Sequence, residues 1–284
     1  MMKIILSRKG FDSSSGGVPS PIFPDGRILS LPIPDRLSPI RYRDIQWHEY
    51  DLGTIVSDLT NGRIPDSHFA HLDPDINHGS LPRMDNWVPL FGQTGAAQGH
   101  LRKQNVAIDD VFLFFGLFRD IHIEAGRLRW NAGSTPRHVI WGWLQVGKIV
   151  PVDTCDREKF AWAQYHPHFH RSPERNNTLY AARKNLELPN IKVHREGAGV
   201  FEYFARNLQL TAPESSRPSV WALPKWFYPG DDRRPLSYHG DLKRWESTAA
   251  ATNLNVVSRG QEFVLECEDY TEAAEWLFDV MRES

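Results

Sequence analysis

Val111-Phe112-Leu113-Phe114-Phe115-Gly116-Leu117-Phe118 is a continuous apolar run of strand length, rich in aromatics and ended by Arg119-Asp120. A strand with one wet face alternates apolar and polar residues, so a run without alternation predicts a strand covered on both faces. A second run from His138 to Val150, His-Val-Ile-Trp-Gly-Trp-Leu-Gln-Val-Gly-Lys-Ile-Val, has the same character. Together they predict two adjacent central strands. Gly116 and Gly142, inside the runs, point to bulges or tight corners rather than flat strands.

Working outward, the opening Met-Met-Lys-Ile-Ile-Leu-Ser-Arg-Lys holds only a short apolar stretch between charges, far less than a signal sequence or a membrane span needs. It reads as a first strand. Residues 8–40 are rich in Ser, Gly and Pro, which excludes long helices. Apolar residues such as Ile22, Phe23, Ile28 and Leu31 punctuate them, so a short strand and ordered loops are expected. Thr54 to Leu59 predicts a short helix that stops near Asn61-Gly62. Thr154 to Tyr165 has helical spacing and stops at His166-Pro167, where the residue before proline disfavours the α region. Further strands are expected at 178–182, 199–204 and 261–266. At the C-terminus, Asp269 and Glu272 have the spacing of a capping box, and Ala273, Trp276, Leu277 and Val280 recur on one helical face. The expected fold is α+β: a strongly curved mixed sheet or small barrel, with peripheral helices and a C-terminal helix. We expect one domain over 1–284, in which loop-rich residues 1–107 pack on an aromatic, β-rich core at 108–284.

The 284 residues are enough to bury a substantial core. Two cysteines, Cys155 and Cys267, are too few for a disulfide framework, and there is no Cys-x-x-Cys. That pattern predicts a reducing, cytoplasmic setting and no membrane partner. The net charge of −2 argues against a broad phosphate-binding face, since non-specific DNA binding draws on a large positive balance. The short basic clusters at Arg41 to Arg43, Arg102-Lys103, Arg233-Arg234 and Lys243-Arg244 read as solvated surface. Any nucleic-acid contact must be local, and a pocket for one nucleotide fits better than a long groove. Ten Trp and fifteen Phe supply aromatic surface that can line such a pocket.

Four segments carry candidate chemistry. Ser7-Arg8-Lys9-Gly10-Phe11-Asp12-Ser13-Ser14-Ser15-Gly16-Gly17 follows the first strand and offers two cations, a carboxylate, hydroxyls and flexible backbone amides. These are the means to hold a phosphate, although Gly/Ser loops also serve simply as turns. His71-Leu72-Asp73-Pro74-Asp75, with Asn77 and His78 close behind, offers imidazoles and carboxylates for a base or a metal; Asp-Pro-Asp is equally a turn sequence. His166-Pro167-His168-Phe169-His170 places three imidazoles close together, as in a three-histidine metal site, but adjacency in sequence makes that geometry awkward. We read this cluster as structural and assign no metal ligand. Gln93-Thr94-Gly95-Ala96-Ala97-Gln98-Gly99-His100 supplies amides able to read a base edge, or a helix start. There is no Gly-x-Ser-x-Gly elbow, Rossmann glycine pattern or His-Glu-x-x-His, so common hydrolase and nicotinamide readings lose support.

The segments at 7–17, 30–34 (Ser-Leu-Pro-Ile-Pro), 71–75 and 112–116, with Trp-Gly-Trp-Leu-Gln-Val at 141–146 and Asn-Asn-Thr-Leu-Tyr at 176–180, resemble the third family of nucleotide modification associated domains. So do Leu-Ser-Tyr-His at 236–239 and Gly-Gln-Glu-Phe-Val at 260–264, and the resemblance spans almost the whole chain. Asp109-Asp110 stands where the resemblance leads one to expect Gly-Asp, and Leu117 where it leads one to expect tryptophan. Such domains are associated, largely by genomic context, with bacterial and phage systems that modify DNA bases. The resemblance therefore implies a pathway more than a reaction, with a nucleotide or DNA base, and other subunits of such a system, as partners. The order of acidic turn, aromatic strand and Trp-Gly-Trp strand is also similar to PUA-like barrels.

On this reading Arg8 and Lys9 hold phosphate, Asp12 or Asp73 acts as general base with Lys9 and Asp75 beside them, and Trp141 or Trp143 stacks the base. Ser13, Gln93, Gln98 and His100 complete the binding set. No cofactor is assigned. A non-catalytic reader of a modified base, and a metal-dependent hydrolase using His166, His168 and His170, are the alternatives.

Overall fold

The computed structural model describes residues 2–282 apart from Ser172 and Arg175. The chain begins β1 (Lys3–Arg8), β2 (Ser20–Ile22), β3 (Gln46–Trp47), β4 (Tyr50–Asp51), α1 (Leu52–Leu59), β5 (Leu90–Gln93) and α2 (Gly95–Lys103). The central hairpin follows as β6 (Val111–Glu124), β7 (Arg127–Trp130) and β8 (Arg137–Pro151). Then come β9 (Thr178–Ala182), β10 (Ala198–Val200), β11 (Val220–Leu223), β12 (Trp245–Ser247), β13 (Thr252–Asn255), β14 (Glu262–Glu266) and α3 (Ala273–Arg282).

The main sheet runs β14-β1-β6-β8-β9-β5, with β2 and β7 on the far end of β6 and β10 beside β8. β1 lies parallel to β6, whereas β6, β8, β9 and β5 pair antiparallel in turn. The sheet is mixed and open; it does not close into a barrel, so the PUA-like alternative does not describe it. The two apolar runs are the paired central strands β6 and β8, and residues 138–146 are buried without interruption. A register shift between Phe114 and Phe115 leaves Trp141 as the extra residue next to Gly142, so the expected bulge sits there. Gly116 keeps its register; a Cβ on it would stand 2.6 Å from the Lys9 carbonyl oxygen, so a close backbone approach explains this glycine.

Three apolar clusters fill the molecule. The largest covers the sheet with α3, whose Ala273, Leu277 and Val280 are buried as its spacing predicts. Asp269, however, does not cap α3: its carboxylate accepts from the Arg234 guanidinium. The second cluster lies under α1, which is capped by Asp51 through Thr54 N at 2.9 Å. The third holds Phe160, Trp162 and Phe169 against β9. The expected helix over 154–165 is instead 3₁₀ turns, broken by a non-helical Phe160. The expected strand at 199–204 is only the short β10.

His138 on β8 accepts a hydrogen bond from Trp221 Nε1 at 2.9 Å, and burial pushes its pKa down to about 3. The unfolded chain protonates this imidazole near pH 6.5. The stability that the neutral ring contributes is therefore present above about pH 6.5 and is lost as pH falls towards 3. In urea unfolding this amounts to about 2–3 kcal/mol by roughly pH 4.5. His138→Gln is expected to flatten the slope between neutral and acid pH; an unchanged slope would refute the assignment.

Candidate functional site

Asp73 stands at the centre of the site. The segment around it runs along β5, where Asp75 and Leu90 exchange backbone hydrogen bonds at 2.9 Å. This alignment brings Asp73 Oδ1 to the Gly92 N–H at 2.7 Å. Three imidazoles surround the same carboxylate: His71 Nε2 at 3.6 Å, His166 Nε2 at 3.5 Å and His168 Nε2 at 3.5 Å. His166 and His168 arrive on a 3₁₀ turn (Pro167–His170) that begins at the His166-Pro167 stop read from the sequence. Burial alone would raise the Asp73 pKa, but the imidazoles of His166, His168 and His71 hold it well below the usual carboxylate range. Such a carboxylate is a weak proton acceptor at neutral pH and a strong counter-charge or ligand.

Neighbours orient two of the three rings. His71 Nδ1 donates to Asp35 Oδ2 at 2.7 Å. That contact first, and the Arg171 guanidinium more weakly, draw the Asp35 pKa down to about 2 against its burial. His168 Nδ1 meets Asn177 Oδ1 at 2.6 Å, and Asn177 Nδ2 donates back to the His168 carbonyl at 2.8 Å. Among the described residues, His71, Asp73 and His168 are the group of possible ligands whose donor atoms all lie within 4.8 Å of one another. His170 is exposed and turns away to the Gln164 carbonyl, so the three-histidine set is not assembled.

His71, Asp73 and His168 open on a cleft of roughly 230 Å³ that Arg8, Lys9, Asp12 and Gln93 also line. Lys9 Nζ bonds the buried Glu262 Oε1 at 2.9 Å and lies 4.6 Å from the centre of the Phe91 ring. Gln93 Nε2 donates to the same Glu262 oxygen at 2.6 Å. Arg8 is less well supplied. Its Nε has no partner among the described residues, and one terminal nitrogen reaches the Val257 carbonyl only at 3.5 Å. Burial lowers the Arg8 pKa, with Asp12 acting the other way. Arg171 adds a second guanidinium whose Nε lacks a partner among the described residues.

Other expected site residues lie elsewhere or are occupied. Asp12 lines the cleft, but its Oδ1 accepts from Ser14 N, Ser14 Oγ and Ser15 N, so it shapes its own turn. Ser13 is exposed on that turn and is not among the cleft-lining residues. Both Asp75 oxygens are taken by Arg83, one of them also by the Tyr165 hydroxyl. Gln98 is buried against the Tyr180 hydroxyl, and His100 stacks on Tyr238 at 4.2 Å. Trp143 is packed on Phe201 with its Nε1 on the Glu196 carbonyl. Trp141 lines a separate, mostly apolar cavity that shares Gly10 and Asp73 with the cleft. Asp35, Arg171, Asn177 and Glu262 were missed. The Pro-Asp at 34–35 and the arginine after the histidine cluster are local signs at best, because these contacts span the chain.

Fold and site together define a mixed α+β protein with an open, cationic cleft around an imidazole-bound carboxylate. The chain belongs to the nucleotide modification associated domain 3 family, whose model matches residues 3–266. It is thus a nucleotide modification associated protein. No curated protein and no solved structure matches it. Among the described residues no helix is long and apolar enough to cross a membrane.

Proposed function

We propose that the cleft binds a nucleotide, or the phosphate-bearing end of a DNA nucleotide, for base modification in a bacterial or phage DNA modification system. The observation that carries this reading is Arg8: a largely buried cation, with an Nε unpartnered among the described residues, that lines a cleft also lined by Arg171. A buried guanidinium without a full set of acceptors is costly, and a phosphate supplies acceptors in the matching fork geometry. The apolar cavity beyond Asp73, bordered by Trp141, suits a base or sugar. A base in duplex DNA would have to be extruded to reach it.

Calorimetric titration with mononucleotides and the matching nucleosides tests this. We expect nucleotides to bind more tightly, and Arg8→Met to weaken them by about tenfold or more, the loss of a charged hydrogen bond, while leaving nucleosides unchanged. Equal binding of both ligands, untouched by the variant, would overturn the phosphate assignment. Nucleoside mass spectrometry of DNA from cells with and without the gene tests the pathway.

A further inference from the structure

We propose that His71, Asp73 and His168 form a binding site for one divalent first-row transition-metal ion. The Nε2–carboxylate separations of 3.5 and 3.6 Å are too long for good hydrogen bonds. They match the spacing of two ligands on a common ion: with bonds near 2.0–2.1 Å, neighbouring ligand atoms in a tetrahedron stand about 3.3 Å apart.

The second sphere agrees. A carboxylate can only accept, so the contact with Asp35 places the His71 proton on Nδ1. The Asn177 amide is oriented by its donation to the His168 carbonyl, which places its oxygen, an acceptor, on His168 Nδ1. In their neutral form, the form that binds a metal, both rings turn the Nε2 lone pair towards Asp73. Two lone pairs facing a carboxylate repel it unless a cation lies between them. Histidine ligands braced at the other nitrogen by a carboxylate or an amide are the usual support of a metal site.

An independent observation comes from His166. Its ring is fully buried, and its Nε2 has no hydrogen-bond partner among the described residues, yet it is aimed at Asp73 Oδ1 from 3.5 Å. Its Nδ1 accepts from His168 N, so the proton lies on Nε2. It points at Oδ1, which accepts from Gly92 N, and so leaves Oδ2 for the ion.

Two imidazoles and one carboxylate select zinc, iron, manganese or cobalt over magnesium and calcium, which prefer oxygen donors throughout. All three residues line the cleft that Arg8, Lys9 and Arg171 also line. A ligand oxygen bound there would meet the ion and the cations together. The metal assignment does not depend on the ligand being a nucleotide.

The test uses full-length protein stripped with chelator and titrated with cobalt(II) and zinc(II) in the absence of nucleotide. The wild type is expected to take up one ion per chain, to develop visible cobalt absorption and to gain thermal stability with excess metal. His168→Ala is expected to lose stoichiometric uptake and the stability gain, Asn177→Ala to weaken binding roughly 10–100-fold, and His170→Ala to behave as wild type. Circular dichroism confirms that each variant is folded. Wild-type protein without stoichiometric uptake overturns the site even if every variant misfolds. Undiminished uptake by folded His168→Ala overturns it as well.

Discussion

Arg83→Met is expected to lower the unfolding free energy by about 3–5 kcal/mol, the range for breaking a buried ion pair from one side. The two terminal nitrogens of Arg83 grip the two oxygens of Asp75 at 2.7 and 2.6 Å, with side-chain exposures of 3% and 0%. The guanidinium also lies over the Trp87 ring and donates to the Asn77 carbonyl and Ser80 Oγ. Removing it leaves a buried carboxylate with, among the described residues, only the Tyr165 hydroxyl as side-chain donor. The double variant Asp75→Asn with Arg83→Met removes the stranded charge and is expected to recover some of the loss. Urea unfolding of the three proteins decides the matter: a single-variant cost below about 1 kcal/mol would show that the pair is not a structural brace. Asp75 was a candidate for catalysis from its place in Asp-Pro-Asp; on this view its substitution unfolds the protein rather than silencing a folded one.

The second large effect needs no polar atom to change. A Cβ at Gly92 would stand 2.3 Å from His168 Cδ2 and 2.5 Å from Nε2. That ring cannot swing aside freely, because it is buried and tied to Asn177 at both ends of the amide. Gly92→Ala is therefore expected to cost about 1–3 kcal/mol through overpacking and to push His168 from its place beside Asp73. Metal affinity should fall by roughly 10–100-fold, as when an outer support of a ligand is lost. The imidazole NMR resonances of His168 report the displacement directly, and unchanged resonances with wild-type cobalt binding would refute the packing argument.

Much of the scaffold was readable because burial on both faces imposes unbroken apolar runs. β6 and β8 were visible for that reason, and α3 through its apolar face. Failures came where a local sign had a distant competitor. Asp269 has the spacing of a cap, but Arg234 takes its carboxylate. Residues 154–165 have helical spacing, but tight 3₁₀ turns suit their packing against β9. Whether the sheet closes depends on which strands meet at its edges, and no segment carries that information.

The candidate site divides in the same way. The sequence by itself determined the kinds of groups available: the cations and amides of the loop after β1, the His-Leu-Asp-Pro-Asp turn and the histidine cluster. Each is a local pattern, set by neighbours along the chain. Only the tertiary structure decided which of them meet. Pairing of β5 with β9, and of Asp75 with Leu90, brings Asp73 and His168 together. The same packing withdraws His170, Asp75 and Trp143, adds Asp35 and Arg171 from just outside the quoted motifs, and gives Asn177, quoted only for the family resemblance, a place in the site. The physical reason is that a hydrogen bond or an ion pair depends on distance in space, whereas a motif records only distance along the chain.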